Sequence, residues 1–351
     1  MLRTLLATHP VVKALLPAGS RRRAAAARAV TRVWPAPQRR PTAVRPPRLR
    51  AEETKLQRVW AGYRQDMLGR YLVSGYQDPR INVQSILARH TLVRALFGSE
   101  FDSLMREDLA RAVELNEAIR IRAAELGITL RVTMNPDRQA DVERVTEVIA
   151  DRVPEFGRRW RDALADRQAP RLSVLEYACG SANDYGAFAD YGLARFLDYT
   201  GVDLNETNIA NARRKFPGVD FRVGSVLSLP EADRSVDYVI GFDIMEHLSL
   251  PAMKHAMDTA VRICRRGLYF AFFLMDEVPE HIDRPVRKYH RNLLSAPQVR
   301  EAMRHHFGTV QLIRIADMLQ DTYGYTHSHT SRAYSLIAEN RKPVTSGAHM
   351  K

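Results

Sequence analysis

From Arg171 onward, short runs of β-forming residues alternate with amphipathic stretches, and no other feature of the chain narrows its fold as far. The runs are RLSVLEY, RFLDYTGVDL, VDFRVG, SVDYVIGF, GLYFAFFLM, VQLIRIA and AYSLIAEN. Between them, NETNIANARRKF, LPAMKHAMDTAVRIC and SAPQVREAMRHHF read as helices. Such alternation builds a parallel sheet with helices on both faces. The last two runs are joined by DMLQDTYGYTHSHTSR, which carries no obvious helix, so they are expected to pair antiparallel. The expected fold is α/β, a doubly wound, mostly parallel seven-stranded sheet with an antiparallel terminal hairpin.

A mostly helical domain is expected before it, over residues 51–170. Leu56, Trp60, Tyr63, Met67 and Tyr71 share one helix face. INVQSILARHTLVRALF reads as a second helix stopping at Gly98. A third starts near Asp102, with Met105, Leu109, Ala112, Leu115, Ile119, Ala123 and Leu126 in one stripe and Gly127 as its stop. ADVERVTEVIADRV reads as a fourth. His90, alone on such a face, is expected to pack rather than ligate. The remaining divisions are a basic tail over 1–50, a catalytic domain over 171–340 and a short tail over 341–351.

Charge separates the tail from the rest. The 351 residues carry +13, and residues 1–50 hold eleven Arg, one Lys and no acid, which leaves about +1 for residues 51–351. The basic balance therefore belongs to the tail, as a disordered extension, a targeting peptide, or a contact for RNA or an anionic membrane. The longest apolar run, near Gly267–Met275, is about half of the roughly 20 residues a membrane span needs. Two cysteines, Cys179 and Cys264, without metal spacing, point to a reducing compartment. A cytoplasmic location is expected, with organelle targeting through residues 1–50 as the alternative.

The first β-run leads into VLEYACGSANDYGAF, where an acid ends an apolar strand and small residues follow at once. In a parallel sheet, ligands bind outside the carboxyl ends of the strands. Small residues around Gly180 let a ligand approach the backbone. A diphosphate is disfavoured, because Glu176 would repel it and the G-x-G-x-x-G fingerprint of nicotinamide enzymes is missing. Asp203 follows Glu176 by 27 residues, at the end of the next strand, where a carboxylate can accept both hydroxyls of a ribose. A ribose beside a cationic group describes S-adenosylmethionine (SAM).

At these residues the chain resembles the class I SAM-dependent methyltransferases of the small-molecule type. Glu176 to Asp184 is similar to that family's acid-x-G-x-G-x-G motif with alanine at two glycine positions. The resemblance implies that Glu176, Ala178 and Gly180 line the methionine part of the cofactor, that Asp203 holds the ribose, and that Leu204 lies beside the adenine. VGSVLSLP resembles the third motif, with Ser225 where an Asp often stands and the Val226 backbone still able to read the base. GFDIMEHLSLP resembles the ending of strand four, where the resemblance implies a Glu-His pair that shapes the pocket or packs the following helix. Asp243 is expected at the cofactor, and His247 is the candidate general base, since imidazole titrates near neutral pH. Asp243, Glu246 and His247 also resemble the start of a metal set in RNA-end methyltransferases. That set needs a further histidine, such as His281 or His290, and no metal is expected.

The polar stretch DEVPEHIDRPVRKYHRNLL is expected to cover the acceptor or to be a solvated loop, followed by a helix signalled by Ser295 and Pro297. If strand six runs parallel to the core, Tyr323, Tyr325, His327 and His329 would border the same pocket. The resulting expectation is methyl transfer to a hydroxyl or amine of a small-molecule or lipid-like acceptor. An RNA methyltransferase using the basic tail and a non-catalytic SAM-fold scaffold are the alternatives. Nothing in the sequence decides the oligomeric state.

Overall fold

A computed structural model describes residues 79–127, 147–148, 151–287, 289–328 and 330–343. The basic tail, the helix expected over Leu56–Tyr71, most of ADVERVTEVIADRV and His329 lie outside the described residues. Seven strands form one sheet: β1 (Leu172–Tyr177), β2 (Leu197–Asp203), β3 (Asp220–Val223), β4 (Val236–Phe242), β5 (Cys264–Phe272), β6 (Phe307–Arg314) and β7 (Tyr334–Arg341). Their order is β6-β7-β5-β4-β1-β2-β3. Strands β1 to β5 pair in parallel, and β7 is antiparallel to both β5 and β6. The expected sheet and its antiparallel end are therefore present.

Eight helices of eight or more residues accompany the strands: α1 (Val83–Phe97), α2 (Asp102–Glu125), α3 (Val153–Leu164), α4 (Asn183–Asp190), α5 (Glu206–Lys215), α6 (Leu250–Ile263), α7 (Ala296–His306) and α8 (Ile315–Tyr323), among the described residues. Three of them, α3, α4 and α8, are not among the expected helices. Helix α3 places Val153, Phe156, Trp160 and Leu164 on a buried stripe, although Pro154, Gly157 and several arginines obscure that spacing in the sequence. Helix α8 occupies the connection between β6 and β7 that was expected to lack one. Ile315 and Leu319, four apart, bury its inner side, and Gly324 ends it in the left-handed region at φ 64°.

Both sheet faces are covered, because residues along each strand alternate between two apolar clusters. Val174, Tyr238, Ile240, Tyr269 and Ala271 face one cluster, which also holds Ile86, Leu92, Met105, Phe156 and Trp160 from α1, α2 and α3. Leu175, Tyr177, Val239, Phe270 and Phe272 face the other, with Met253 and Met257 of α6 and Val299 of α7. The leading helices thus share a core with the sheet, and residue 171 marks a change of secondary structure rather than of core. Each fully buried side chain of this size contributes about 1.5–3 kcal/mol.

The order β4-β1-β2 makes the β1/β4 boundary the point where the chain switches direction across the sheet. A crevice opens at such a point outside the carboxyl ends of the strands. The turn after β1 and the segment after β4 both lie there.

Candidate functional site

The turn after β1 takes an unusual backbone path. Ala178, Gly180 and Ala182 have φ of 52°, 55° and 61°. Two alanines therefore hold a conformation that disfavours a Cβ. A Cβ built on Gly180 would meet nothing within 4 Å, so the turn opens onto free space there. The alternating left-handed residues aim the turn at the end of β2. The Gly180 N–H donates to Asp203 Oδ2 at 2.9 Å, and the Asn205 N–H donates to Asp203 Oδ1 at 2.7 Å. A carboxylate offers about four lone-pair sites, so Asp203 retains acceptor capacity after these two bonds.

Glu176 stands between Gly201 on β2 and Ile240 on β4 and is buried. The Tyr199 hydroxyl donates to its Oε2 at 2.5 Å. Burial, reinforced by the negative charges of Asp184 and Asp203, pushes its carboxyl well above the usual range. The negative charges of Asp184 and Asp203 thus bear on one buried carboxyl, a repulsion that a positive group nearby would relieve. Gly201 is needed opposite, since a Cβ there would lie 2.8 Å from Cys179 Sγ and from the Phe221 ring. Leu204 follows Asp203 with 73% of its surface exposed, an apolar side chain the core does not use. Ser225 Oγ accepts from the Leu227 N–H at 3.2 Å, and Val226 is buried against the α6 side of the sheet.

After β4, Asp243 is also left-handed at φ 50°, and its N–H donates to Ala271 O of β5 at 3.1 Å. A short 3-10 turn, Met245–His247, then brings the imidazole back toward it. His247 Nε2 is 3.1 Å from Asp243 Oδ1, and Nδ1 is 3.0 Å from His290 O. Both partners only accept, so both ring nitrogens carry protons. The bond to Asp243, more than the loss of solvation opposes it, pushes the imidazole up to about 9. His247 is thus a cation at neutral pH, and the general-base role expected for it does not fit this geometry.

The same bonds staple the segment after β5 to the end of β4. Asn292 is fully buried; its N–H donates to Glu246 O at 2.9 Å, its amide donates to Leu248 O at 2.8 Å, and its Oδ1 accepts from the Arg284 N–H at 2.9 Å. Glu246 is buried and accepts from the Phe273 N–H at 2.6 Å; burial, with the charge of Asp243, pushes it up to about 7. The other histidines turn elsewhere. His281 Nδ1 accepts from the Ser295 N–H, and the His290 ring meets Asp283. Among the described residues, no three His, Cys, Asp or Glu side chains gather to hold a metal.

The leading helices reach the same end of the sheet. Ser85 Oγ donates to Asp184 Oδ1 at 2.8 Å. Gln84 Nε2 donates to Phe272 O at 3.2 Å and to Tyr334 O at 2.7 Å. These contacts had no signal in the sequence, because Gln84 and Ser85 meet partners about 100 to 250 residues away. His90 is buried beside Asp108, where burial lowers its pKa, as suits a packing histidine.

Residues 174–267 match the family described as Methyltransferase domain. A protein of Mycolicibacterium smegmatis, named a probable S-adenosylmethionine-dependent methyltransferase, is 34% identical over 146 residues, covering 40% of this chain and 52% of that protein. A ubiquinone biosynthesis O-methyltransferase of Sinorhizobium medicae is 32% identical over 125 residues, covering 34% of this chain and 46% of that protein. The chain spans about half the length of these curated relatives. Among solved structures, a Burkholderia thailandensis 1,6-didemethyltoxoflavin-N1-methyltransferase with bound S-adenosylhomocysteine aligns at a TM-score of 0.40 and 16% identity, over 59% of this chain and 87% of that one. From its first strand into its fifth, this chain matches the Methyltransferase domain family, and the relatives that share this stretch include a probable S-adenosylmethionine-dependent methyltransferase.

Proposed function

We propose that the chain transfers a methyl group from SAM to a hydroxyl or amine of a small-molecule or lipid-like acceptor. The observation that carries this reading is the turn in which Ala178, Gly180 and Ala182 are all left-handed and Gly180 is bonded to Asp203. A chain without need of that path would not keep alanine in it at about 1–2 kcal/mol per residue.

The order of these residues along the crevice supports that reading. Asp203 would accept the ribose hydroxyls, and exposed Leu204 would cover the adenine, with Ser225 and Val226 at its rim. Ala178 and Gly180 would admit the methionine part to the backbone, Asp243 would supply negative charge near its cationic groups, and a bound cation would favour the ionised form of the buried Glu176. When bound, SAM supplies an electrophilic methyl on a positively charged sulfur. The protein's contribution is alignment, which recovers roughly 7–11 kcal/mol of barrier in well-oriented reactions. His247 would act by holding the 281–295 segment through the His290 carbonyl, not by accepting a proton.

A hydroxyl acceptor is supported by the match to the ubiquinone biosynthesis O-methyltransferase. A small or lipid-like acceptor is supported by the near-neutral charge of residues 51–351. The buried, unpaired thiols of Cys179 and Cys264 suit a reducing, cytoplasmic setting, and among the described residues no helix is long and apolar enough to cross a membrane. Residues 1–50 are a separate basic tail in this reading.

Calorimetric titration of the full chain with S-adenosylhomocysteine tests the reading. Micromolar binding is expected, weakened at least about thirtyfold in Asp203→Ala through loss of charge-assisted hydrogen bonds. Binding should be followed by transfer of labelled methyl to a panel of phenols and amines. Folded protein that binds no S-adenosylhomocysteine would overturn the proposal.

A further inference from the structure

A groove of a different character lies at the opposite pole of the sheet from the cofactor crevice. Strands β4 and β5 begin there, β7 ends there, and the last turn of α1 supplies another wall. Its volume is about 370 Å³, the size of a small-molecule site. Arg94, Arg265, Arg266 and Arg341 line it, with Tyr238 and Glu339. Arg266 and Phe272 are six residues apart on β5, about 20 Å of extended chain, so the groove is remote from the crevice.

Two of the four arginines have acids of their own. Arg94 pairs with Asp102 and Arg265 with Asp237, each at 2.8 Å. Arg266 and Arg341 are paired with no acid among the described residues. Arg266 Nη2 donates to Ala95 O at 3.0 Å, and Arg341 Nη1 donates to His306 O at 2.9 Å. Each spends a nitrogen on a neutral carbonyl, which leaves donors of a five-donor group to spare. Burial, with the charge of Arg234 nearby, lowers the pKa of Arg341, as befits a cation short of negative charge. Glu339 opposes these charges only in part, and its Oε1 accepts from the Tyr238 hydroxyl at 2.9 Å.

The floor keeps the arrangement in place. A Cβ on Gly267 would lie 2.7 Å from Ala338 O and 2.8 Å from the Tyr238 ring, so glycine is what lets β7 and that ring close on β5. The Arg266 guanidinium lies 5.7 Å from the centre of the same ring, which holds it without neutralising it.

We infer that this groove binds a small molecule carrying a diphosphate, with one phosphate on the fork of Arg266 and the other on that of Arg341. A guanidinium fork donates to two oxygens of one phosphate, so two forks without acids match two linked phosphates. A single carboxylate would leave one fork unmatched. The rest of the groove takes the group that bears the diphosphate. The inference goes beyond methyl transfer, because it names a second site, on the pole that SAM does not use.

Calorimetric titration of the full chain, saturated with S-adenosylhomocysteine, compares inorganic diphosphate with inorganic phosphate. Diphosphate is expected to bind at least about tenfold tighter. Arg266→Gln and Arg341→Gln should each weaken diphosphate at least about tenfold and leave S-adenosylhomocysteine binding within about twofold. Ala95→Glu, which sets an acid on the wall while keeping both arginines, should abolish diphosphate binding; it decides the matter if the arginine variants do not fold. Uridine diphosphate in solution and a polyprenyl diphosphate in phosphatidylcholine vesicles separate a soluble source from a lipid-borne one, and binding of either that Arg266→Gln loses supports the inference. Diphosphate affinity unchanged in all three variants would assign the anion to the basic residues 1–50 and overturn the inference. No binding, or binding no tighter than that of phosphate, would overturn it equally. Failure of the folded chain to bind S-adenosylhomocysteine would instead overturn the proposed function and leave this site untouched.

Discussion

At the scale of single residues, the first turn is where sequence and geometry diverge most usefully. Glu176, Gly180 and Asp203 are legible from spacing alone, because a strand end, a small residue and a second strand end recur at fixed intervals. The left-handed state of Ala178 and Ala182 is not legible, since alanine gives no sign of it. Ala178→Gly should relieve about 1–2 kcal/mol of strain, offset by about 0.4–1 kcal/mol of added unfolded-state entropy. A net gain of about 0.5–1 kcal/mol is expected in urea unfolding, and no gain would show that the turn bears no strain. Ala182 is 1% exposed, so the same change there would forfeit a packed methyl and gain less. His247 illustrates the other limit of sequence. Its motif is plain, but its charge state is set by the bond to Asp243 and, beyond it, by a backbone carbonyl 43 residues away.

At the scale of elements, the strands and the helices α1, α2, α5, α6 and α7 follow from periodicity and their stops. The caps behave as their residue types require. Asn82, Asn205, Ser249 and Ser295 each accept from the first-turn amides of the helix that follows. Helix α3 escaped because its value lies in what it touches. The Trp160 indole donates to Asp108 Oδ2 at 2.5 Å, and His90 Nε2 sits 3.6 Å from the same oxygen. Asp108 is wholly buried and its other oxygen has no partner, so the indole is its main support. Trp160→Phe should therefore cost about 2–4 kcal/mol in urea unfolding, more than its lost volume explains. Adding Asp108→Leu should recover at least half of that loss; no recovery would mean that packing alone was at stake.

At the scale of the whole molecule, the two shifted groups after β4 set a pH dependence. Glu246 rises from an ordinary 4.5 to about 7 on folding, so the folded state holds its proton longer and stability falls as pH rises between those values. His247 rises from 6.5 to about 9, so its contribution is complete below 6.5 and is lost as pH rises through 9. Both act in one direction, and the free protein should be more stable at pH 5.5 than at pH 9. His247→Gln should remove the portion between 6.5 and 9, about 1–2 kcal/mol after solvent screening of a ring whose side chain is 33% exposed. Urea unfolding at pH 5.5, 7 and 9 measures it, and a wild-type curve flat over that range would contradict the cationic assignment. None of this was legible in the sequence, which shows which groups can titrate but not which are buried together.

Strand β7 lies inside the sheet, between β5 and β6, although it is the last strand in the described chain. During synthesis β5 leaves the ribosome more than sixty residues before Tyr334, its eventual neighbour. Over that interval the Cys264–Phe272 strand, apolar on both faces from residue 267 onward, has one side unpaired. The nascent chain is then most open to pairing with another copy of itself. Slow translation of residues 273–333 would prolong that exposure, and the domain becomes safe from aggregation only when its final strand is threaded into the gap.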